Sequence, residues 1–115
     1  MYYHHIGIPT TEHRSDERSL SHLKMHVSGY EDSPFGVEWM RFDPDCLFPE
    51  LVKAVPHVAF EVDDLDAAIE GRKVIIAPNG PAPGIRVAFV VDDGAPIEFL
   101  EIGPDAPRDV RRARR

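Results

Sequence analysis

Polar and apolar positions along this chain alternate more often than they follow a helical period. Tyr2 to Ile8 reads as a strand with Tyr3, His5 and Gly7 on one face and His4, Ile6 and Ile8 on the other. Val55 to Val62 reads as a buried strand with a histidine at its mouth; His57, Ala59 and Glu61 share one face, and Val58, Phe60 and Val62 the other. Further strands are expected over about 23–30, 36–42, 74–77, 85–91 and 97–102, the last two joined as a hairpin by Asp92-Asp93-Gly94. Asp63 to Gly71 has an aspartate cap, apolar Leu65, Ala68 and Ile69, and a glycine stop, which predicts a short helix. Residues 15–24 predict a second, weaker helix with Leu20 and Leu23 on one side, although Arg18 stands where a capping box needs an acid. Residues 78–84 read as a turn-rich loop and 43–54, with Pro44 and Pro49, as a connection.

Laid out this way, the chain repeats itself. His5-Ile6-Gly7-Ile8 matches His57-Val58-Ala59-Phe60, and Val37-Glu38-Trp39-Met40 matches Ile97-Glu98-Phe99-Leu100. Two copies some 50–60 residues apart indicate a duplicated module, not a solenoid. The expected organisation is one domain over 1–107: module one at about 2–43, a linker at 44–54 and module two at 55–102. Module two reads β-α-β-β-β, and module one matches it if its weak helix forms. The fold class is α+β with short or partly missing helices.

The duplication also carries the candidate chemistry. Four strands each present one metal-competent side chain: His5, Glu38, His57 and Glu98. Imidazole and carboxylate are the usual ligands of a first-row divalent ion where thiolates are absent; zinc, nickel, cobalt, manganese and iron all qualify. Singly, a strand histidine is more often a hydrogen-bonded group and a strand glutamate more often faces water. The two matched pairs, each glutamate between apolar neighbours, favour ligation, because a buried carboxylate needs a partner. A small residue two positions after each histidine leaves room beside the imidazole, which selects His5 over His4. Arg41 and Arg86 read as solvated, Trp39 and Phe99 as core, and Glu61 as either a neighbour of the site or a group at the strand's wet end.

Composition narrows the classes. The net charge is −7, and the tail 108–115 holds five arginines against one aspartate, so the body is more acidic still. That argues against a nucleic-acid partner. The tail reads as a basic, solvated, disordered end. No apolar run approaches the roughly 20 residues of a membrane helix. The single cysteine, Cys46, and the absence of a basic-then-apolar opening lead to the expectation of a cytoplasmic protein. No phosphate-cradling glycine loop or nucleophile elbow is present.

His5-Ile6-Gly7-Ile8, the run from His57 through Asp63-Asp64-Leu65-Asp66-Ala67-Ala68, and Pro96-Ile97-Glu98-Phe99-Leu100-Glu101 resemble the vicinal oxygen chelate superfamily. That group includes glyoxalase I, methylmalonyl-CoA epimerase, extradiol dioxygenases and bleomycin-resistance proteins. The resemblance spans residues 2–102 and is stronger in the second module. It implies two βαβββ modules curled into a cup-shaped mixed sheet, with metal positions at His5, Glu38, His57 and Glu98. It implies a lyase or isomerase that chelates vicinal oxygens and stabilises an enolate or enediolate, with Glu38 and Glu98 as candidate catalytic bases. The alternatives are a non-catalytic resistance-type binding protein and an Fe(II) extradiol-type dioxygenase using His5, His57 and Glu98. A homodimer is expected by analogy, because this sheet leaves edges to cover.

Overall fold

The alternating segments form eight strands of one mixed sheet in a computed structural model that describes residues 1–107 and Val110. The strands are β1 (Tyr2–Pro9), β2 (Arg18–Leu20), β3 (Met25–Ser28), β4 (Val37–Phe42), β5 (His57–Glu61), β6 (Lys73–Ala82), β7 (Ile85–Asp92) and β8 (Ala95–Ile102). Two short helices, α1 (Glu50–Ala54) and α2 (Leu65–Ile69), interrupt them. The order across the sheet is β2-β3-β4-β1-β5-β8-β7-β6. Its two halves are therefore mirrored in order about the antiparallel β1–β5 pair, with β1–β4 and β5–β8 both parallel.

The sheet curls until its two edges face each other. Leu20 of β2 and Ile76 of β6, at opposite ends of the order, line one cavity. His22, in a 3-10 turn after β2, lies with Nε2 3.2 Å from the Pro81 carbonyl of β6. One end of the cup is filled by Val52 of α1 with Met25, Val27, Met40 and Phe89. The convex face of the second half is covered by α2, whose Leu65 packs with Val62, Ala88, Val90 and Phe99. Asp64 caps α2 by accepting from the Ala67 amide at 3.1 Å, and Gly71 ends the segment at φ +75°, where a side chain would strain the backbone.

Four expectations change. Residues 15–24 form β2 and the 3-10 turn instead of a helix: Arg18 to Leu20 pair with Val27 to Met25, and an edge partner for β3 outweighs a weak local propensity. The brief strand 74–77 and the loop 78–84 are one ten-residue strand, β6. Its prolines are tolerated because it is an edge strand with three register irregularities along β7. The connection 43–54 contains α1. Strict alternation in β1 fails, because the register with β5 shifts between Tyr3 and His5. The tail reading falls on residues outside those described, Val110 apart. Among the described residues no helix is long and apolar enough to cross a membrane.

Candidate functional site

The register aligns the repeated residues in two rows across the centre of the sheet. In one row Ala59 lies between His5 on β1 and Glu98 on β8. In the other, Gly7 lies between His57 on β5 and Glu38 on β4. Each row is a small residue flanked by an imidazole and a carboxylate. Gly7 has a sharper role than leaving room for a ligand. A Cβ on Gly7 would stand within 2.7 Å of both His57 Nε2 and Met40 Sδ, so the glycine makes the space that the His57 ring occupies.

All four side chains meet at the concave floor. Glu98 Oε1 lies 3.0 Å from His57 Nε2 and 3.2 Å from His5 Nε2, while Glu38 Oε1 lies 3.7 Å from His5 Nε2. His5, His57 and Glu98 are buried and offer three donor atoms within 4.8 Å of one another. Glu38 adjoins this group from its more open side. The two carboxylates sit in different fields. Burial pushes Glu98 up, but hydrogen bonds from His5 and His57 outweigh it and hold the carboxyl well below the usual range. Burial also pushes Glu38 up, and the more distant His5 only partly offsets it. The two carboxylates are therefore shifted in opposite directions, Glu98 towards the ionised form and Glu38 away from it.

The donor set fits a divalent cation: two imidazoles and one carboxylate, pre-gathered on adjacent strands, without a thiolate. The His57 ring is held by packing, with Phe89 edge-on at 4.9 Å, and its Nδ1 is buried without a hydrogen-bond partner among the described residues. His5 is held differently. The shift in β1 brings His4 to the interior as well, at 4% exposure, and its Nδ1 lies 2.7 Å from His5 Nδ1. On its far side His4 Nε2 meets the Val110 carbonyl and, at 3.1 Å, the Tyr30 hydroxyl. Burial first, then neighbouring His5, lowers the His4 pKa to about 4, although the Val110 contact opposes the shift.

The expectation that a regular β1 sends His4 to the opposite face from His5 is thus corrected; a bulge re-aims it. Tyr30 and Arg18 were not legible as site residues either. Arg18 lines the cavity mouth, paired with Glu31 at 3.3 Å. Glu61 is buried, close enough to His4 to act on its charge. Arg41 is not a free surface group but holds Glu17 through two bonds of 2.7 and 2.8 Å. Arg86 lies outside the cavity, exposed, between Asp66 and Glu101. His26 bridges Ser19 and Asp43 at 2.8 and 2.9 Å, and the three tie β2 and β3 to the residue after β4.

Above the floor the cup encloses a cavity of about 310 Å³. Its walls are apolar, formed by residues such as Leu20, Met25, Ile76, Ile85 and Phe89. A molecule seated here would place polar atoms at the floor and a hydrocarbon body against the walls.

No family model and no curated protein matches the chain. Among solved structures it is similar to methylmalonyl-CoA epimerase from Mycobacterium tuberculosis, with a TM-score of 0.61 and 18% identity over 90% of this chain and 89% of that one. The fold is the glyoxalase-like cup. A hypothetical protein, BH1468 from Bacillus halodurans C-125, has a TM-score of 0.67 and 19% identity over 92% of this chain and 97% of its own. At these identities the likeness is one of fold. This glyoxalase-like chain has short helices and, in its first half, a loop over 10–17 where the second half has α2.

Proposed function

We propose that this chain is a metal-dependent lyase or isomerase acting on a small molecule with two adjacent oxygens and an apolar body. The observation that carries this reading is the convergence of His5, His57 and Glu98 on one point, with Glu38 beside them, at the floor of an apolar cavity. His5, His57 and Glu98 would hold the cation. When bound, a divalent ion supplies Lewis acidity, which polarises substrate oxygens and acidifies an adjacent C–H. Glu38 would move that proton, a role supported by its position beside the donor group on the more open side. Burial raises its pKa above the usual carboxylate range, the direction that suits a group taking and returning a proton. The apolar walls exclude water from the reacting end and fix the orientation of the substrate body. The epimerase with the same fold, an isomerase by its name, supports the isomerase side of this reading.

The test is elemental analysis of purified protein beside Glu98→Ala, followed by solvent deuterium exchange into small 2-oxo and 2-hydroxy carbonyl compounds. About one divalent ion per chain, lost in the variant, with exchange abolished in Glu38→Gln, is the expected result. No metal in the wild type, even after reconstitution, would overturn the reading in favour of a binding protein. A second reading has one observation in its favour: the tight donor group is two histidines and one carboxylate, a set that also suits Fe(II) and oxygen. Selective iron content and oxygen uptake with a catechol, unaffected by Glu38→Gln, would establish it.

A further inference from the structure

We propose that His4 is a positioning residue for this centre, and that the Val110 carbonyl, through His4, sets which nitrogen of His5 carries the hydrogen. The inference rests on the metal-centre reading above but concerns residues outside the donor set. It follows from hydrogen accounting along a line of four groups.

A carbonyl oxygen only accepts, so the His4 Nε2 that meets Val110 carries a hydrogen. The Tyr30 hydroxyl, 3.1 Å from the same nitrogen, donates to the same carbonyl at 3.3 Å, which leaves its lone pairs toward His4. The Tyr30 and His4 rings stack at 5.1 Å and 12°, fixing the plane of the imidazole. The Tyr30 hydroxyl and Val110 carbonyl bonded to His4 are neutral, and the ring is 4% exposed. A second proton on His4 would bury a charge with no carboxylate bonded to it, at a cost of several kcal/mol. His4 Nδ1 is therefore a lone pair. His5 Nδ1, 2.7 Å away, must be the donor of that pair. A neutral His5 then has only a lone pair left at Nε2, the atom that points at Glu98 and Glu38. Lone pair and carboxylates would face one another, so without a cation a proton lies between His5 Nε2 and Glu98 and makes the hydrogen bond described above, and a cation takes its place. The ring is thus delivered in the tautomer that a metal ion requires.

The backbone supports the same conclusion. In a regular β1 His4 would point away from the cavity. The register shift between Tyr3 and His5 gives up regular pairing at one residue and turns His4 inward. The carbonyl at the end of the line belongs to a residue that packs against Ala59, Ile85, Val87 and Leu100. Val110 is therefore seated on the core and joined to the centre at once.

The test is competitive zinc titration against a chromophoric chelator, with nitrogen-15 NMR of the His5 ring as a second readout. Four proteins are compared: wild type, His4→Phe, His4→Gln and a chain ending at Pro107. The expected result is about 10- to 100-fold weaker zinc binding in His4→Phe. Recovery of most of the loss is expected in His4→Gln, whose amide can accept from His5 and donate to Val110. The shortened chain should fall between them. Zinc affinity within about twofold of wild type in His4→Phe would overturn the inference. Should that variant fail to fold, the shortened chain reads the same line from its other end, and unchanged affinity and tautomer there would overturn it. If the wild type binds no zinc, the metal reading fails instead. The ring spectrum of the metal-free protein at alkaline pH then decides: an Nδ1–H tautomer lost in His4→Phe upholds the positioning role, and identical spectra refute it.

Discussion

The two halves of the sheet place their donors in the same register and cover their outer faces by different means. In the second half, α2 lies over the convex side: its first amide, at Leu65, donates to Glu101 at 2.9 Å, and Arg72 stacks over Phe99 at 5.8 Å. In the first half the loop at 10–17 takes that place: Glu17 accepts from Arg41, and Arg14 stacks over Trp39 at 5.4 Å. Trp39 and Arg41 follow Glu38 by one and three positions, as Phe99 and Glu101 follow Glu98. An arginine over the aromatic and an ionic anchor at the third position recur without the helix. What duplication has kept is the contact scheme around each glutamate, and what has diverged is the covering element. The inner faces diverge too. Glu98 is enclosed by two imidazoles, whereas Glu38 borders one at longer range, so equivalent carboxylates have pKa shifts of opposite direction.

That asymmetry can be broken in graded ways. The largest effect is expected from exchanging the glutamates for glutamines singly. Glu98→Gln should lose the metal, read by elemental analysis. Glu38→Gln should keep it and lose turnover by roughly 10²- to 10⁴-fold. Equal metal loss in both would show that the two rows are equivalent after all. Next, Gly7→Ala should destabilise by about 2 kcal/mol, because the new methyl falls on His57 and Met40. Ala59→Gly, the counterpart in the other row, should cost no more than about 1 kcal/mol; urea melts of the two variants measure the difference. Asp64→Ala should remove about 1 kcal/mol through the lost α2 cap, and the first half has no corresponding residue to lose. The smallest effect concerns the Glu17–Arg41 pair. The Arg41 hydrogen bonds lower the Glu17 pKa from 4.5 to about 2 against an opposing desolvation. A lowered folded-state pKa stabilises above the unfolded value and ceases to do so as pH falls through the folded one. The stability gap between wild type and Glu17→Gln should be constant above about pH 5 and close between 4.5 and 2. A gap independent of pH would mean that the loop is held by Trp39 and Arg14 instead.

The faces of the donors were legible because period-two alternation assigns them and each glutamate stood between apolar residues, whereas the cup was implied by the resemblance to the vicinal oxygen chelate superfamily. His5, His57 and Glu98 came together as that pattern implies. The inward turn of His4 was not legible, since a bulge depends on the partner strand and β5 lies half the chain away. Arg41 was misread for a related reason: it does lie on the outer face, but that face is covered by a loop whose fold depends on Glu17. The long β6 was hidden by Pro78 and Pro81, which exclude a central strand and are permitted in an edge one.

The β1–β5 junction has a consequence for assembly. Each row of the site takes its imidazole and its carboxylate from different halves: His5 with Glu98, His57 with Glu38. A chain ending before β5 would carry one of each and no complete row. Nor can the donors gather while synthesis is only half finished, since β1 has to wait for a partner more than fifty residues downstream. Ion capture should therefore report completion of the fold, and stopped-flow metal uptake during refolding should trail the burial of Trp39.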